Sequence, residues 1–374
     1  MVRVGTVLVK LASRCNLGCT YCYVYEMADS GWALQPKTMS AETVRALTRQ
    51  LTVIADCQRE PFEVIFHGGE PLLVGPARFE SICCELREAL PSRVGLGVQT
   101  NGVLLSERIA ATCVRHGVSV SVSIDGPASV HDRHRPDRRG RPSHAAVLAG
   151  IERLQRSPGA QGLLAGVLAV IDLESDPVEV YEFLKSLRPG GIDLLFRDGN
   201  RDVLPPGKSS IDSTEYGAWM ARLLDHYLTD MRPIPVRVLD EMLKLLMARS
   251  GRFGDRKEAE DAILIVETDG TLSKNDTLKG AYEGADRFNK TWSVHYDSLV
   301  EVLCSREFEE YCIAQPPSSK ACLVCPDFGP CGGGTPAHRW AADNGFDNPS
   351  VFCADQRHLV AAMRRRLALH GTAA

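Results

Sequence analysis

The chain has 374 residues, 44% hydrophobic and 24% charged, proportions that exclude a disordered or coiled-coil protein. Lys and Arg number 43 against 47 Asp and Glu, a net charge of −4, so the basic excess of a nucleic-acid or membrane-surface binder is missing. Thirteen cysteines, an odd number in a chain with ample core-forming sequence, fit metal or redox chemistry better than a secreted disulfide scaffold.

The N-terminus runs straight into a strand pattern with no signal-peptide core, so a cytoplasmic location is expected. Strands are predicted at Val4–Leu11, Val64–His67, Gly95–Thr100, Val118–Ile124, Leu163–Ile171 and Ile192–Phe196. The longest apolar run, Leu163–Ile171, suits a buried strand and is far short of a membrane span. Amphipathic stretches alternate with the strands: Ala41–Ala55, Ala77–Leu90, Ser106–His116, Ser143–Gln155 and Val178–Leu187. Ser40 is placed to cap the first, with Glu42 in its first turn. Residues 214–249 read as helical. Six β–α repeats with near-continuous apolar strands predict a parallel sheet covered by helices, open or curled into a full or partial barrel, with function at the strand C-termini.

Polar motifs do follow the strands. Cys15-Asn-Leu-Gly-Cys19-Thr-Tyr21-Cys22 comes after the first and Gly68-Gly69-Glu70-Pro71 after the second. Thr100 and Asn101 end the third, and Ser123 and Asp125 the fourth. Simple turns would explain the glycines and prolines, but not cysteine, glutamate and asparagine at one rim. A C-x3-C-x2-C triplet would arise by chance only about 0.016 times in a chain this rich in cysteine. Three thiolates on one short loop can ligate three irons of a [4Fe–4S] cluster and leave the fourth open, whereas zinc would want a fourth close protein ligand.

These motifs, over roughly residues 5 to 230, resemble the radical S-adenosylmethionine family. The resemblance implies an α/β fold: a partial (β/α)6 TIM-like barrel at 1–235. It also implies that Cys15, Cys19 and Cys22 hold the cluster and that S-adenosylmethionine binds the open iron. Gly68, Gly69 and Glu70 would receive its amino group, Tyr21 would lie near its adenine, and Thr100, Asn101, Ser123 and Asp125 would address its ribose and methionine parts. Arg135 is a candidate for its carboxylate, set against a solvated reading of the basic stretch 133–141. One-electron cleavage would then give a 5′-deoxyadenosyl radical that takes hydrogen from the substrate.

A second set, Cys322-x2-Cys325-x5-Cys331 with Cys353 beyond, could bind zinc or an iron–sulfur cluster on spacing alone. The segment resembles the SPASM extension of radical SAM enzymes, which implies an auxiliary [4Fe–4S] cluster in residues 301–374, after a bridging helix and hairpin at 236–300. Gly334-Thr335 stands where fuller patterns continue to another cysteine, and Asn275 occupies a further cysteine position. One auxiliary cluster is therefore expected. Cys57, Cys83, Cys84, Cys113, Cys304 and Cys312 read as buried or idle thiols.

Glu267–Lys279, with its Asp269-Gly270 turn, and the stretches Arg197–Asn200, Pro205-Pro206 and Cys331–Arg339 resemble the FxsB-type peptide maturases. That resemblance implies a ribosomally made precursor peptide as substrate. Its product would be a cyclophane, with an aromatic ring carbon joined to the β-carbon of a nearby residue. Formylglycine formation in a sulfatase, thioether or ether crosslinking and epimerisation remain alternatives. Rearomatisation needs a proton acceptor, for which Asp276 is the candidate, set against an ordinary turn or lysine-paired aspartate, and Asp198 a weaker one. The implied partners are the peptide and a one-electron donor of flavodoxin or ferredoxin type, with no nucleic acid and no membrane.

Overall fold

A computed structural model describes residues 2–248 and 262–371; residues 249–261 of the expected bridging segment lie outside the described residues. The strands are β1 Val4–Ala12, β2 Phe62–Gly68, β3 Val94–Thr100, β4 Val118–Ser123, β5 Leu164–Val170, β6 Ile192–Leu195, β7 Ala262–Val266 and β8 Leu272–Ser273. The helices up to the second cysteine set are α1 Ala41–Cys57, α2 Pro76–Ala89, α3 Glu107–His116, α4 Ala128–His134, α5 His144–Arg156, α6 Pro177–Ser186, α7 Glu215–Tyr227 and α8 Arg237–Met247. Six more follow: α9 Leu299–Leu303, α10 Arg306–Ile313, α11 Lys320–Leu323, α12 Phe328–Cys331, α13 Pro336–Arg339 and α14 Cys353–Gly371. Among the described residues no helix is long and apolar enough to cross a membrane.

The chain divides into two compact units. The first comprises described residues 2–124, 131–167 and 262–312, the second 125–130, 168–248 and 313–371.

In the first unit β1 pairs in parallel with β2 and with β7, and β3 pairs in parallel with β2 and β4. Alternate residues of these strands (Val7 and Val9, Val64 and Phe66, Leu96 and Val98, Val118 and Val120) are almost wholly buried. Helix α1 starts where Ser40 Oγ accepts the Thr43 N–H at 3.0 Å, the cap read from sequence. Helix α3 ends at Gly117, whose left-handed φ of 58° suits a residue without a Cβ. The hairpin expected after Glu267 forms as β7 and β8, antiparallel around Gly270 at φ 88°. Its parallel partnership with β1 was not among the sequence expectations, because Ile263–Val266 is a very short apolar run.

In the second unit the helical reading of residues 214–249 is met by two helices, with residue 249 outside the described residues. Helices α7 and α8 are separate, and the chain between them holds Pro233 and Pro235. Proline removes a backbone donor and clashes with the preceding turn, so one continuous helix cannot form there. Helix α14 packs along α7, and Gly217 allows this because a Cβ there would stand 2.4 Å from the Asp355 carbonyl oxygen. The fully buried Asp355 accepts from the Gly217 N–H and from Lys208 Nζ at 2.6 Å. An ion pair this deep positions α14 as much as it stabilises it.

Candidate active site and cysteine centres

The first cysteine loop leaves β1 and is clamped by other segments of its unit. Gly18 N–H donates to Pro136 O at 2.8 Å, Thr20 N–H to His134 O at 2.9 Å, and Arg138 Nε to Cys15 O at 3.1 Å. The Arg138 guanidinium also lies 4.9 Å from the Tyr25 ring centroid. Residues 134–138 therefore reach the cysteine loop, while the side chains of Arg133, Arg138, Arg139 and Arg141 are exposed. Arg135 is buried and donates to the Tyr21 hydroxyl at 2.9 Å, so those two expected residues meet.

Asn101 joins them from the end of β3. Its Nδ2 donates to Asn16 Oδ1 at 2.8 Å and to Cys15 Sγ at 3.6 Å, and the Leu17 N–H points at the same sulfur at 3.4 Å. Burial pushes the Cys15 thiol up to about 12 and the Cys22 thiol to about 11. Such thiols ionise readily only when a cation takes the proton's place.

Gly68 and Gly69 follow β2, and a Cβ on Gly69 would stand 2.0 Å from the Tyr25 hydroxyl and 2.4 Å from Arg14 O. Only glycine permits this approach. Glu70 is turned wholly inward. Its carboxylate accepts from Thr100 Oγ1 at 2.7 Å, Asn101 N at 2.8 Å and Leu72 N at 3.0 Å. Burial raises its pKa against the pull of those three bonds. Thus Glu70 and Thr100 hold the β2 and β3 loops together, and Asn101 is the member of that trio whose side chain reaches the cysteine loop. Ser123 Oγ accepts from Gln99 Nε2 at 2.8 Å. In the second unit, Asp125 is buried and accepts the Val170 N–H at 3.2 Å.

Asp276 opens a short 3-10 turn, Asp276–Gly280, capped by Asn275 Oδ1, which accepts the Thr277 N–H. Its carboxylate accepts from Lys10 Nζ at 2.6 Å and from the Tyr23 hydroxyl at 3.1 Å. Lys10 also reaches Glu267 at 2.9 Å, and Lys279 lies 2.5 Å from Asp286 and 3.3 Å from Glu267. Burial alone would raise the Asp276 pKa, but Lys10 and Lys279 bring it down to about 2. Lys10, Glu267, Lys279 and Asp286 line a cavity of about 440 Å³, together with Gly68, Gly69, Trp32 and Phe288. The sequence reading missed Lys10, Glu267, Lys279 and Asp286; the available signal was a lone lysine inside the apolar strand β1. Asp198, in the second unit, sits 3.3 Å from His338 Nε2.

Also in the second unit, Cys322, Cys325, Cys331 and Cys353 line one cavity of about 120 Å³ with Phe328, Pro349 and Gln356. Cys331 Sγ lies 2.7 Å from Gln356 Oε1 and receives the Gly333 N–H at 3.3 Å. Burial raises the Cys322 and Cys353 thiols, and neighbouring cysteines add to the effect.

Among the described residues, the group of ligand atoms lying within 4.8 Å of one another is Glu267, Asp276 and Asp286, which Lys10 and Lys279 already pair. Neither cysteine set is gathered that tightly. A cluster binds its thiolates on separate irons, so wider spacing suits it better than a single zinc. The remaining thiols differ: Cys83 and Cys113 are buried between α2 and α3, and Cys57 and Cys304 are exposed.

Residues 9–184 match the model of the Radical SAM superfamily. A serine-type anaerobic sulfatase-maturating enzyme of Bacteroides thetaiotaomicron is 32% identical over 188 residues, 48% of this chain and 43% of that protein. The solved structure of anSMEcpe with bound AdoMet and Cp18Cys peptide matches with a TM-score of 0.80 at 19% identity, covering 98% of both chains. Streptococcus suis SuiB bound to precursor peptide SuiA matches with a TM-score of 0.61 at 13% identity, over 90% of this chain and 73% of that one. These last two are likenesses of fold, and they agree with the α/β architecture expected from the sequence.

Proposed function

We propose, from the premise that the chain is a radical SAM enzyme using S-adenosylmethionine and [4Fe–4S] chemistry, that its substrate is a ribosomally made precursor peptide. The peptide would leave with a carbon–carbon crosslink between an aromatic ring and the β-carbon of a nearby residue. When bound, the cofactors supply hydrogen-atom abstraction at one centre and an electron sink at the other. Cys15, Cys19 and Cys22 would hold the first cluster, and Cys322, Cys325, Cys331 and Cys353 one auxiliary cluster. Gly68 and Gly69 would bring backbone close to the amino group of S-adenosylmethionine, with Asn101, Tyr21 and Arg135 around the cysteine loop.

The observation that carries the crosslinking reading is the charged wall of the 440 Å³ cavity. Forming the crosslink removes two hydrogens from the peptide: one as an atom, the other as a proton plus an electron. Asp276, buried and held ionised by Lys10, would take the proton by way of its partners Lys10, Glu267 and Lys279, which line the cavity. Asn275 is occupied in capping its own turn, which agrees with a single auxiliary cluster rather than two. The likeness to peptide-bound structures supports a peptide substrate, and an external one-electron donor completes the balance.

The test is anaerobic turnover of the precursor peptide from the neighbouring gene. A product two hydrogens lighter, resistant to hydroxylamine and crosslinked in its fragment spectrum supports the proposal. An aldehyde trapped by hydroxylamine would replace it with formylglycine formation, the activity suggested by the sulfatase-maturating relative.

A further inference from the structure

Lys279 stands between three buried carboxylates of the first unit. Its Nζ lies 2.5 Å from Asp286 Oδ2, 3.3 Å from Glu267 Oε1 and 3.7 Å from Asp276 Oδ1. Lys10 completes the network, at 2.6 Å from Asp276 and 2.9 Å from Glu267. Three carboxylates against two ammonium groups leave one negative charge in excess, in a setting where unpaired charge is costly. His67, opposite Lys10 in the β1–β2 register, does not offset it, because burial lowers its pKa below the ordinary histidine value. The network therefore has room for one proton. The three carboxylates are not equally occupied. Asp276 has both oxygens engaged, by Lys10 and by the Tyr23 hydroxyl, and Glu267 Oε1 accepts from Lys10, Lys279 and the Ser273 hydroxyl. Asp286 is 1% exposed and lines the 440 Å³ cavity, yet its Oδ1 is buried with no hydrogen-bond partner. Burial raises the Asp286 pKa, whereas at Asp276 burial is outweighed by Lys10 and Lys279, which bring it down to about 2. Asp276 can meet a proton but is a poor place to keep one.

We propose that Asp286 is the resting place of the proton released by the peptide, and that Lys279 carries it there from Asp276. The inference rests on the crosslinking reading above. Once the ring adduct has formed, its unpaired electron leaves to a one-electron acceptor of [4Fe–4S] type and one ring C–H bond breaks. The electron pair of that bond restores aromaticity, and its proton passes to Asp276. Lys279 then donates a proton to Asp286 Oδ2 and takes one from Asp276 Oδ1, so the ammonium group is restored and Asp276 is ionised again. The network ends with two carboxylates and one carboxylic acid against two ammonium groups, a neutral set that burial favours. Asp286 thus acts through Lys279 and Asp276, and not on the peptide itself.

The test has two arms. In the iron-loaded enzyme, with the precursor peptide from the neighbouring gene, crosslinked peptide is counted per 5′-deoxyadenosine formed. Asp286→Asn still accepts from Lys279 but cannot store a proton, so this ratio should fall by about tenfold or more, and Asp286→Glu should restore it to within about threefold of the parent. In the iron-free full chain, infrared spectra follow the carboxylic-acid carbonyl bands as pH is lowered. The band missing from Asp286→Asn should grow in at a higher pH than the band missing from Asp276→Asn. A merely structural carboxylate, ion-paired like Asp276, would protonate no earlier than Asp276 does.

A parental ratio in Asp286→Asn, or protonation of Asp286 at a lower pH than Asp276, overturns the proposal. Should Asp286→Asn fail to fold, Lys279→Arg decides, because arginine keeps the charge but does not give up its proton. A parental ratio in that variant overturns the proposal, and a fall of about tenfold or more supports it. A parent that forms deoxyadenosine and no crosslink would instead overturn the crosslinking reading, and the proposal with it, whatever the order of protonation in the iron-free chain.

Discussion

The two cysteine centres use one kind of ligand atom in opposite settings. The first has three thiols on a loop, and an amide side chain and a backbone N–H reach the Cys15 sulfur. Around it stand the Gly68–Gly69 backbone, Tyr21 and Arg135. The second has four thiols lining a cavity of about 120 Å³, which Phe328 and Pro349 also line. Three ligands leave room for an outside molecule at the metal, and four do not. On the proposed assignment one centre would react and the other would exchange electrons, a contrast that would follow from ligand count and surroundings rather than from the sulfur itself.

The strongest test of this contrast removes one thiol from each side. Cys19→Ala should reduce 5′-deoxyadenosine formation by at least about 10³-fold and lower bound iron from roughly eight atoms to roughly four. Cys325→Ala should lose a similar amount of iron yet retain deoxyadenosine formation, while crosslinked peptide falls. Liquid chromatography of the nucleoside and mass spectrometry of the peptide read both outcomes. Equal loss of deoxyadenosine in the two variants would erase the distinction between the centres.

Asp276 separates the chemistry further. Asp276→Asn removes the proton acceptor but neither cysteine set, so deoxyadenosine formation should continue while crosslinking drops by about 10²–10⁴-fold. Unimpaired crosslinking would exclude Asp276 from the reaction. The pH dependence has a definite sign. A carboxylate with a folded pKa of about 2, below the ~3.9 of an unfolded aspartate, contributes stability that is complete above ~4. That contribution is lost as pH falls through about 2, and titration of Asp276 should leave crosslinking unaffected at any pH above ~4.

The division between what the sequence discloses and what it hides follows distance along the chain. The cysteine triplet, the Ser40 cap and the Asp269-Gly270 turn are local patterns, readable within a few residues. The order of the early strands and helices follows from apolar periodicity. The ionic network around Asp276 is different, since Lys10 lies 257 and 266 residues from its two carboxylate partners. Periodicity shows only that Lys10 interrupts an apolar strand, not what neutralises it. Likewise the basic stretch 133–141 looks solvated until Arg138 is found on the Cys15 carbonyl and the Tyr25 ring.

Lys10 probes the reactive side without touching sulfur. Lys10→Met would leave Asp276 and Glu267 buried with only Lys279 between them, a loss of about 3–5 kcal/mol by analogy with broken buried pairs. Its melting temperature should fall in both the iron-loaded and the iron-free protein.

The smallest expected effect concerns single hydrogen bonds at the two centres. Asn101 Nδ2 donates to Asn16 Oδ1 and to Cys15 Sγ, so Asn101→Ala loosens the first loop without removing a ligand. At the second centre the Cys331 thiol is itself the donor, to Gln356 Oε1, a bond that a metal-bound thiolate cannot make. Each Asn101 bond is worth about 0.5–1.5 kcal/mol net, which corresponds to roughly two- to tenfold in the rate at which a chelator strips iron. Asn101→Ala should accelerate loss from the three-thiol centre alone, and Gln356→Ala should leave loss from the four-thiol centre unchanged. Stripping the two centres in parallel from the Asn101 variant would show that they come apart as one cooperative unit, and the contrast in their local clamps would then have no bearing on how iron is held.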